Sequence, residues 1–283
     1  MMGETPFCLE RRWAVSPLAL ENIERMAPNS IGCVFEKLDL HDTGLINILP
    51  KLRIHGDCEF KILRLAASEE AHVAEVLAQE KPFCVGRVKR MFLQEYAVCV
   101  ITKMSLKDCE FEWLDLVAPR KEHVAEVLKQ EKPFCVGRVK SMCLWDYAVS
   151  VITKMSLKDC EFESLYLHAN EEAHVAEVLA QENPFCVERV KEMRLWDYAV
   201  GVITKMTIHE DNTMEKLCLV GDKKHFSRIL KEGDSSIELG RIRLSGFEVP
   251  ERIKRKLRYT LVDGEGKEVL EEEEPSQRGN LLE

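Results

Sequence analysis

Cysteine and histidine are the residues of this sequence whose chemistry could support catalysis or metal binding, and both recur at regular intervals. The chain has 11 Cys and 8 His in 283 residues. Thiolates act as nucleophiles and metal ligands, and imidazoles act as bases and metal ligands. Their positions decide between these roles, because a site needs different groups that converge on one point.

The cysteines follow a repeat and do not form ligand pairs. One set stands in "PFC" and another in "DCEF", at Cys8, Cys84, Cys135 and Cys186 and at Cys58, Cys109 and Cys160. No Cys-x-x-Cys occurs, and no His stands at zinc-ligand spacing from two Cys. We therefore expect reduced thiols that behave as small apolar residues, with the "PFC" sulphurs turned inward, and we predict no metal.

Four histidines open equivalent segments. "HVAEVL" begins at His72, His123 and His174, at intervals of 51 residues, and the degenerate "HFSRIL" begins at His225. The apolar residues of these segments have helical spacing, so each His stands at the start of a helix. One position per repeat places neighbouring histidines two strands apart, too far to share a metal. We predict solvated residues.

Catalysis would need one unique set of nucleophile, base and oxyanion donors. The tripeptide "KDC" at 107–109 returns unchanged at 158–160, and an active site has no need of a second copy. No Gly-rich phosphate-binding loop or paired-carboxylate signature stands out. We therefore predict that the chain is not an enzyme, has no catalytic residues and uses no cofactor.

The 51-residue period contains two phrases that predict strands. One is "VKRMFL", from Val88, and the other is "CEFEWLDL", from Cys109. Leu93 and Leu116 are 23 residues apart and Leu116 and Leu144 are 28 apart, both within the range of leucine-rich repeats. Segments between the phrases have helical spacing, as in "HVAEVLKQE", although the β-branched residues of "DYAVSVITKM" leave a strand open there. The period thus predicts strand–helix–strand–helix with parallel strands.

The phrase C-x-F-x-x-L-x-L, followed by a helix, resembles the ribonuclease-inhibitor-like class of leucine-rich repeats over about residues 20–250. The resemblance implies an α/β leucine-rich-repeat solenoid, a horseshoe with parallel strands on the concave face and full helices on the convex face. Met, Val and Phe often replace Leu, and the Asn of the common repeat signature is absent. The competing interpretation is a stack of α+β units with antiparallel strands, in which "YAVCVITKMSL" pairs back onto "CEFEWLDL".

The ends of the chain depart from the repeat. Residues 1–20 predict an N-terminal cap or frayed segment, and residues 21–250 form the leucine-rich-repeat-like solenoid. The Asp-Gly turn in "RYTLVDGEGKEVL" predicts a C-terminal cap or hairpin over 251–270. The charge run that opens "EEEEPSQRGNLLE" predicts an acidic disordered tail over 271–283.

Composition limits the environment and the partners. Charged residues make up 31% and hydrophobic residues 46%, as in folded domains. A net charge of −9 disfavours nucleic-acid binding, and no apolar run approaches the roughly 20 residues of a membrane helix. Charged residues near the N-terminus interrupt any secretion signal. We expect a cytoplasmic protein, with the nucleus left open, that binds neither nucleic acid nor membrane.

A binding surface is expected where outward-facing strand residues differ between copies of the repeat. Phe92 corresponds to Cys143 and Arg194 in the next copies, and Trp113 corresponds to Ser164. Aromatic and Arg side chains carry most of the binding energy at interfaces. The predicted protein-binding patch comprises Arg64, Arg90, Phe92, Trp113, Tyr166 and Arg194.

These observations predict a non-catalytic interaction module that presents a concave repeat surface to another protein. The sequence does not specify that partner or the oligomeric state. The alternative is a structural or decoy member of an expanded repeat family with no fixed ligand. Trp145 and Trp196 recur together in "LWDYAV" and are predicted to pack at the turn after the strand.

Overall fold

Ten strands form one continuous sheet in the computed structural model, which describes residues 7–13, 15–32, 34–56, 58–158 and 160–269. In chain order the strands are β1 Phe7–Arg11, β2 Phe35–His41, β3 Glu59–Ala67, β4 Arg87–Glu95, β5 Trp113–Ala118, β6 Ser141–Asp146, β7 Glu161–Ala169, β8 Arg189–Asp197, β9 Lys216–Val220 and β10 Phe247–Glu248. Each pairs in parallel with the strand before it and the strand after it in the chain. The predicted α/β stack with parallel strands is confirmed, and the antiparallel alternative is wrong.

The strand register follows the spacing seen in the sequence. Leu93 of β4 lies opposite Leu116 of β5, which lies opposite Leu144 of β6. The alternation of 23 and 28 residues therefore measures two kinds of turn. Parallel neighbours need a crossover connection of a dozen or more residues, and both intervals leave room for one.

The core is built from columns that run through successive strands. The leucine column comprises Leu40, Leu65, Leu93, Leu116, Leu144, Leu167, Leu195 and Leu219. Seven of these side chains are fully buried, and Leu219 is 3% exposed. Full burial of one Leu side chain stabilises the fold by about 1.5–3 kcal/mol, so each turn is held chiefly by its neighbours.

The connections are shorter helices than the resemblance implied. The α-helices are α1 Pro17–Arg25, α2 Ala74–Leu77, α3 Ala125–Leu128, α4 Ala176–Leu179, α5 Ser227–Lys231 and α6 Glu251–Lys254. The 3₁₀ segments are Gly44–Lys51, Glu70–His72, Tyr96–Lys103, Lys121–Val124, Tyr147–Lys154, Glu172–Val175, Tyr198–Lys205 and Leu244–Gly246. The "HVAEVL" helix is thus a 3₁₀ turn followed by one α turn. A full helix on the convex side is wrong for these repeats.

The β-branched segment "DYAVSVITKM" is helical over Tyr147–Lys154 and extended only at Met155–Ser156. A 3₁₀ helix rises about 2.0 Å per residue, so eight residues cross the back of the sheet without a longer α-helix. Asp146 precedes this segment with φ of 56°, a conformation that is uncommon outside glycine. This residue turns the chain sharply from β6 into the helix.

Short parallel strands pair beside the main sheet. They are Ile31–Gly32 with Leu52–Arg53, Phe83–Cys84 with Met104–Ser105, Glu110–Phe111 with Arg138–Val139, Phe134–Cys135 with Met155–Ser156, and Phe185–Val187 with Met206–Ile208. A three-stranded sheet of Thr213–Met214, Ile237–Arg243 and Leu257–Val262 follows toward the C-terminus. Parallel pairing thus extends from residue 7 to residue 262.

The C-terminal segment after this sheet contains a tight turn. Val262 makes an antiparallel bridge to Glu268 across the Asp263 turn. The acidic tail predicted for 271–283 lies outside the described residues. Within the described ranges, no helix is both long and apolar enough to cross a bilayer.

The "PFC" cysteines are exposed, so the prediction that they turn inward is wrong. Cys84 and Cys135 lie in two-residue strands, and each sulphur accepts a hydrogen bond at 3.4 Å from the N–H of the glycine two residues on. The "DCEF" cysteines lie deeper, since Cys109 and Cys160 are buried and Cys58 is half-buried. The two phrases occupy opposite environments although each contains an aromatic neighbour.

The histidines are also placed differently from the prediction, because His123, His174 and His225 are buried. In His174, Nδ1 lies 3.4 Å from the backbone N–H of Glu171 and accepts its hydrogen bond. The ring of Tyr147 packs against it edge-on, with ring centroids 4.5 Å apart. Each buried histidine therefore caps the start of its helix and packs against the previous turn, which a solvated residue would not do.

Candidate functional site

The ten-stranded sheet has one side free of helical segments, which we call the open face. Side chains alternate between the two sides of a strand, so the residues between the buried columns point to this side. Its middle row comprises Glu10, Asp39, Arg64, Phe92, Asp115, Cys143, Tyr166, Arg194, Cys218 and Glu248, each opposite the next in register. All six residues of the predicted protein-binding patch lie on this face.

Three of the six residues form an arginine–phenylalanine cluster on β3 and β4. The guanidinium carbon of Arg64 lies 4.6 Å from the centre of the Phe92 ring, and that of Arg90 lies 5.5 Å from it. Arg64 also lies 3.6 Å from a carboxylate oxygen of Asp39. Contacts of this kind contribute about 0.5–1 kcal/mol each at exposed sites. They hold the phenylalanine ring and the arginines in one orientation.

The other three residues form an aromatic cluster across β5 to β8. The ring centres of Trp113 and Tyr166 are 6.3 Å apart, although β6 lies between their strands. The Arg194 guanidinium carbon lies 5.4 Å from the Tyr166 ring centre. Cys143, which stands in register between these strands, is only 5% exposed. The two rings therefore cover the smaller side chains of β6.

The aromatic cluster is anchored by one carboxylate. The Tyr166 hydroxyl donates to Glu192 over 3.4 Å, and the Arg194 guanidinium donates to the same Glu192 oxygen over 3.2 Å. Glu192 is about one third exposed, so solvent screens this pair and its contribution to stability is small. Its effect is to fix the direction of the tyrosine and arginine side chains.

Trp145 and Trp196 belong to the open face and not to the turn. His168 stands between them, with ring centres 5.0 Å from Trp145 and 6.5 Å from Trp196. Trp196 also lies 5.9 Å from Tyr166, which joins it to the aromatic cluster. The sequence held a signal for this placement, because each tryptophan directly follows a residue of the buried leucine column. Strict alternation would have directed both rings outward.

Asp115 lies between the two clusters, in register with Phe92 on one side and Cys143 on the other. Burial raises the pKa of its carboxyl, and this outweighs the Trp113 indole and the Arg64 charge, both of which lower that pKa. The negative charge is thus poorly solvated and only weakly compensated.

Charges alternate along the amino-terminal ends of the strands, where a groove of about 1630 Å³ extends over several turns. Glu59 lies opposite Arg87, Glu110 opposite Arg138, and Glu161 opposite Arg189. Directly opposite charges of unlike sign stabilise neighbouring strands. The groove therefore carries a ladder of paired charges and no large field of one sign.

The buried thiols are poorly suited to nucleophilic chemistry. Burial raises the pKa of Cys143 to about 12 and that of Cys109 to about 11. A thiol with such a pKa stays protonated at neutral pH, whereas the reactive species is the thiolate. In the part of the chain that the structure describes, no group of three or more His, Cys, Asp or Glu side chains could hold a metal ion.

Comparisons with known proteins add no relative to this description. No protein-family model matches the sequence, and neither the curated proteins nor the solved structures include a significant match.

Proposed function

We propose that the protein is a non-catalytic interaction module that binds another protein on the open face. The observation that carries this proposal is the gathering of Arg64, Arg90, Phe92, Trp113, Tyr166 and Arg194, from five different strands, into two contacting clusters on that face. We further propose a divergent leucine-rich-repeat solenoid of the ribonuclease-inhibitor-like class, with the open face as its concave surface. The proposed setting is intracellular, with reduced cysteines.

The composition of the clusters supports a protein partner. Binding energy at protein interfaces is concentrated in a few Trp, Tyr and Arg residues, each worth about 2 kcal/mol or more when buried. The rings here are half-buried and already held by neighbouring side chains. A partner would therefore fix few additional rotamers, which reduces the entropic cost of association.

The test is capture of a partner from the native cell by the tagged full chain, followed by measurement of the affinity for the purified partner. The Phe92→Ala/Trp113→Ala double variant removes one ring from each cluster. Two such residues predict a loss of affinity of at least about 30-fold. Trp13→Ala is the matched control, because Trp13 is 76% exposed but lies outside both clusters.

The outcomes separate the candidate functions. Weaker binding by the double variant, with unchanged binding by the control and unchanged circular dichroism, supports the open face as the binding surface. Equal affinity of wild type and double variant for the captured protein contradicts it. A chain that captures nothing reproducibly corresponds to the alternative, a structural or decoy member of a repeat family with no fixed ligand.

A further inference from the structure

The middle row of the open face contains four carboxylates, and one of them differs from the rest. Glu10 lies 2.5 Å from the Lys37 ammonium, Asp39 lies 2.7 Å from His41, and Glu248 lies 2.5 Å from Lys216. Among the residues that the structure describes, Asp115 has no cation within 4.0 Å, although Oδ1 is buried and lacks a hydrogen-bond partner. An isolated buried carboxylate is costly for the folded state unless a cation or donor reaches it.

The nearest arginine is directed away from Asp115. Arg64 stands two strands from it in the row, and its guanidinium lies between the Phe92 ring and Asp39, 3.6 Å from the latter. Arg64 lowers the pKa of Asp115, but burial dominates and leaves that pKa raised. The internal cations of this face therefore leave the Asp115 charge largely uncompensated.

Aromatic rings surround this carboxylate. Phe92 is its direct neighbour on β4, Trp113 stands two residues before it on the same side of β5, and Tyr166 contacts Trp113 across β6. Faces of such rings attract cations. Two of these rings already do so within the chain, because Arg64 and Arg90 lie over Phe92 and Arg194 lies over Tyr166.

We propose that Asp115, together with Phe92, Trp113 and Tyr166, receives a lysine or arginine side chain of the partner protein. The proposal rests on the proposed function and specifies the chemistry that the open face recognises. The carboxylate supplies the counter-charge, and the rings supply an apolar wall for the aliphatic stem of the incoming side chain. An organic cation fits better than a metal ion, because the described residues provide no set of three ligands at any position.

The experiment uses immobilised random peptides whose central residue is fixed as lysine, arginine, norleucine or glutamate. Norleucine keeps the aliphatic stem of lysine without its charge. The labelled full chain is applied as wild type and as the Asp115→Asn, Glu192→Gln and Trp113→Ala variants. Glu192→Gln is the matched control, because Glu192 is an open-face carboxylate that already has Arg194 as its ion-pair partner, 3.2 Å away.

Wild type should retain the lysine and arginine series about fivefold more than the norleucine series, and glutamate least. Asp115→Asn should remove this preference without abolishing retention, and Glu192→Gln should keep it. Near-ultraviolet circular dichroism of each variant checks that the fold is intact.

Other results overturn the inference in distinguishable ways. Equal retention of lysine and norleucine by wild type, with loss of both in Trp113→Ala, refutes the cation site and leaves the proposed function standing. A lysine preference that survives in Asp115→Asn also refutes the site. Retention of no series above the blank surface contradicts the proposed function and the inference together.

Discussion

Substitution of Gly137 by alanine tests how closely successive turns approach each other. Gly137 belongs to the repeated segment "EKPFCVGRVK" and has φ of +70°. A Cβ atom at this position would lie 2.4 Å from the carbonyl oxygen of Cys109 and 2.5 Å from that of Leu106. Both oxygens belong to the backbone of the preceding turn, so relief of the contact requires movement of the chain itself.

The expected cost combines two effects. A side chain in the left-handed region costs about 1–2 kcal/mol, and forced overpacking in a well-packed interior costs about 1–3 kcal/mol. The free energy of unfolding of Gly137→Ala should therefore fall by about 2–5 kcal/mol. With a urea dependence near 3 kcal/mol per molar, the midpoint of unfolding should move by about 1 M or more.

Urea unfolding followed by circular dichroism measures this change. Gly56→Ala is the control, because no heavy atom lies within 4 Å of its Cβ position and lysine occupies the equivalent position in the next two copies. The control should stay within about 0.5 kcal/mol of wild type. A Gly137→Ala midpoint indistinguishable from that of Gly56→Ala would refute the close approach of the turns.

Three further predictions follow from burial. Asp115→Asn should leave the free energy of unfolding at pH 7 unchanged or higher, because burial raises the pKa of Asp115 and its ionised form is disfavoured in the folded state. Burial and the Arg120 charge lower the pKa of His123 from the ordinary value of 6.5, so wild type should lose stability as the pH falls below about 6.5, since the unfolded chain then binds more protons. His123→Gln should lack this part of the pH dependence. A thiol reagent should label the exposed cysteines of the native protein rapidly and the buried Cys109 and Cys143 only after unfolding; the exposed set is Cys8, Cys84, Cys135 and Cys186.

Each of these predictions has a clear contrary result. A lower thermal midpoint for Asp115→Asn at pH 7 would show that the carboxylate is compensated in the folded state. A pH dependence that His123→Gln preserves would assign the titration to other groups. Labelling of Cys143 at the rate of Cys135, measured by mass spectrometry of the digested protein, would show that the aromatic cluster does not cover β6.

Much of the fold followed from the sequence because repetition is a property of the chain itself. The 51-residue period and its division at Leu93, Leu116 and Leu144 predicted the parallel stack and its register. A column of leucines is buried only when each turn lies directly against the next, so the spacing and the contact are the same information. The apolar spacing of "HVAEVL" likewise predicted a helical segment, although not its shortness.

The sequence alone could not decide the environment of residues whose types tolerate several environments. The "PFC" and "DCEF" cysteines look alike in the sequence, yet only the first set reaches solvent. The histidines at the helix starts are buried because Tyr96, Tyr147 and Tyr198 of the preceding turns pack against their rings. Contacts of this kind join residues more than 20 positions apart, and no local pattern records them.

The candidate site divides in the same way. The sequence by itself determined which residues break the repeat, and alternation along the strands assigned Arg64, Arg90, Phe92, Trp113, Tyr166 and Arg194 to one face. Only the tertiary structure decided which of them touch, that Trp145 and Trp196 extend the aromatic cluster, and that Asp115 lacks a nearby cation among the described residues. Pairing of charges and rings depends on side-chain directions across strands that are more than 20 residues apart in the chain. Period and alternation fix the backbone position of a residue, and only packing fixes its partner.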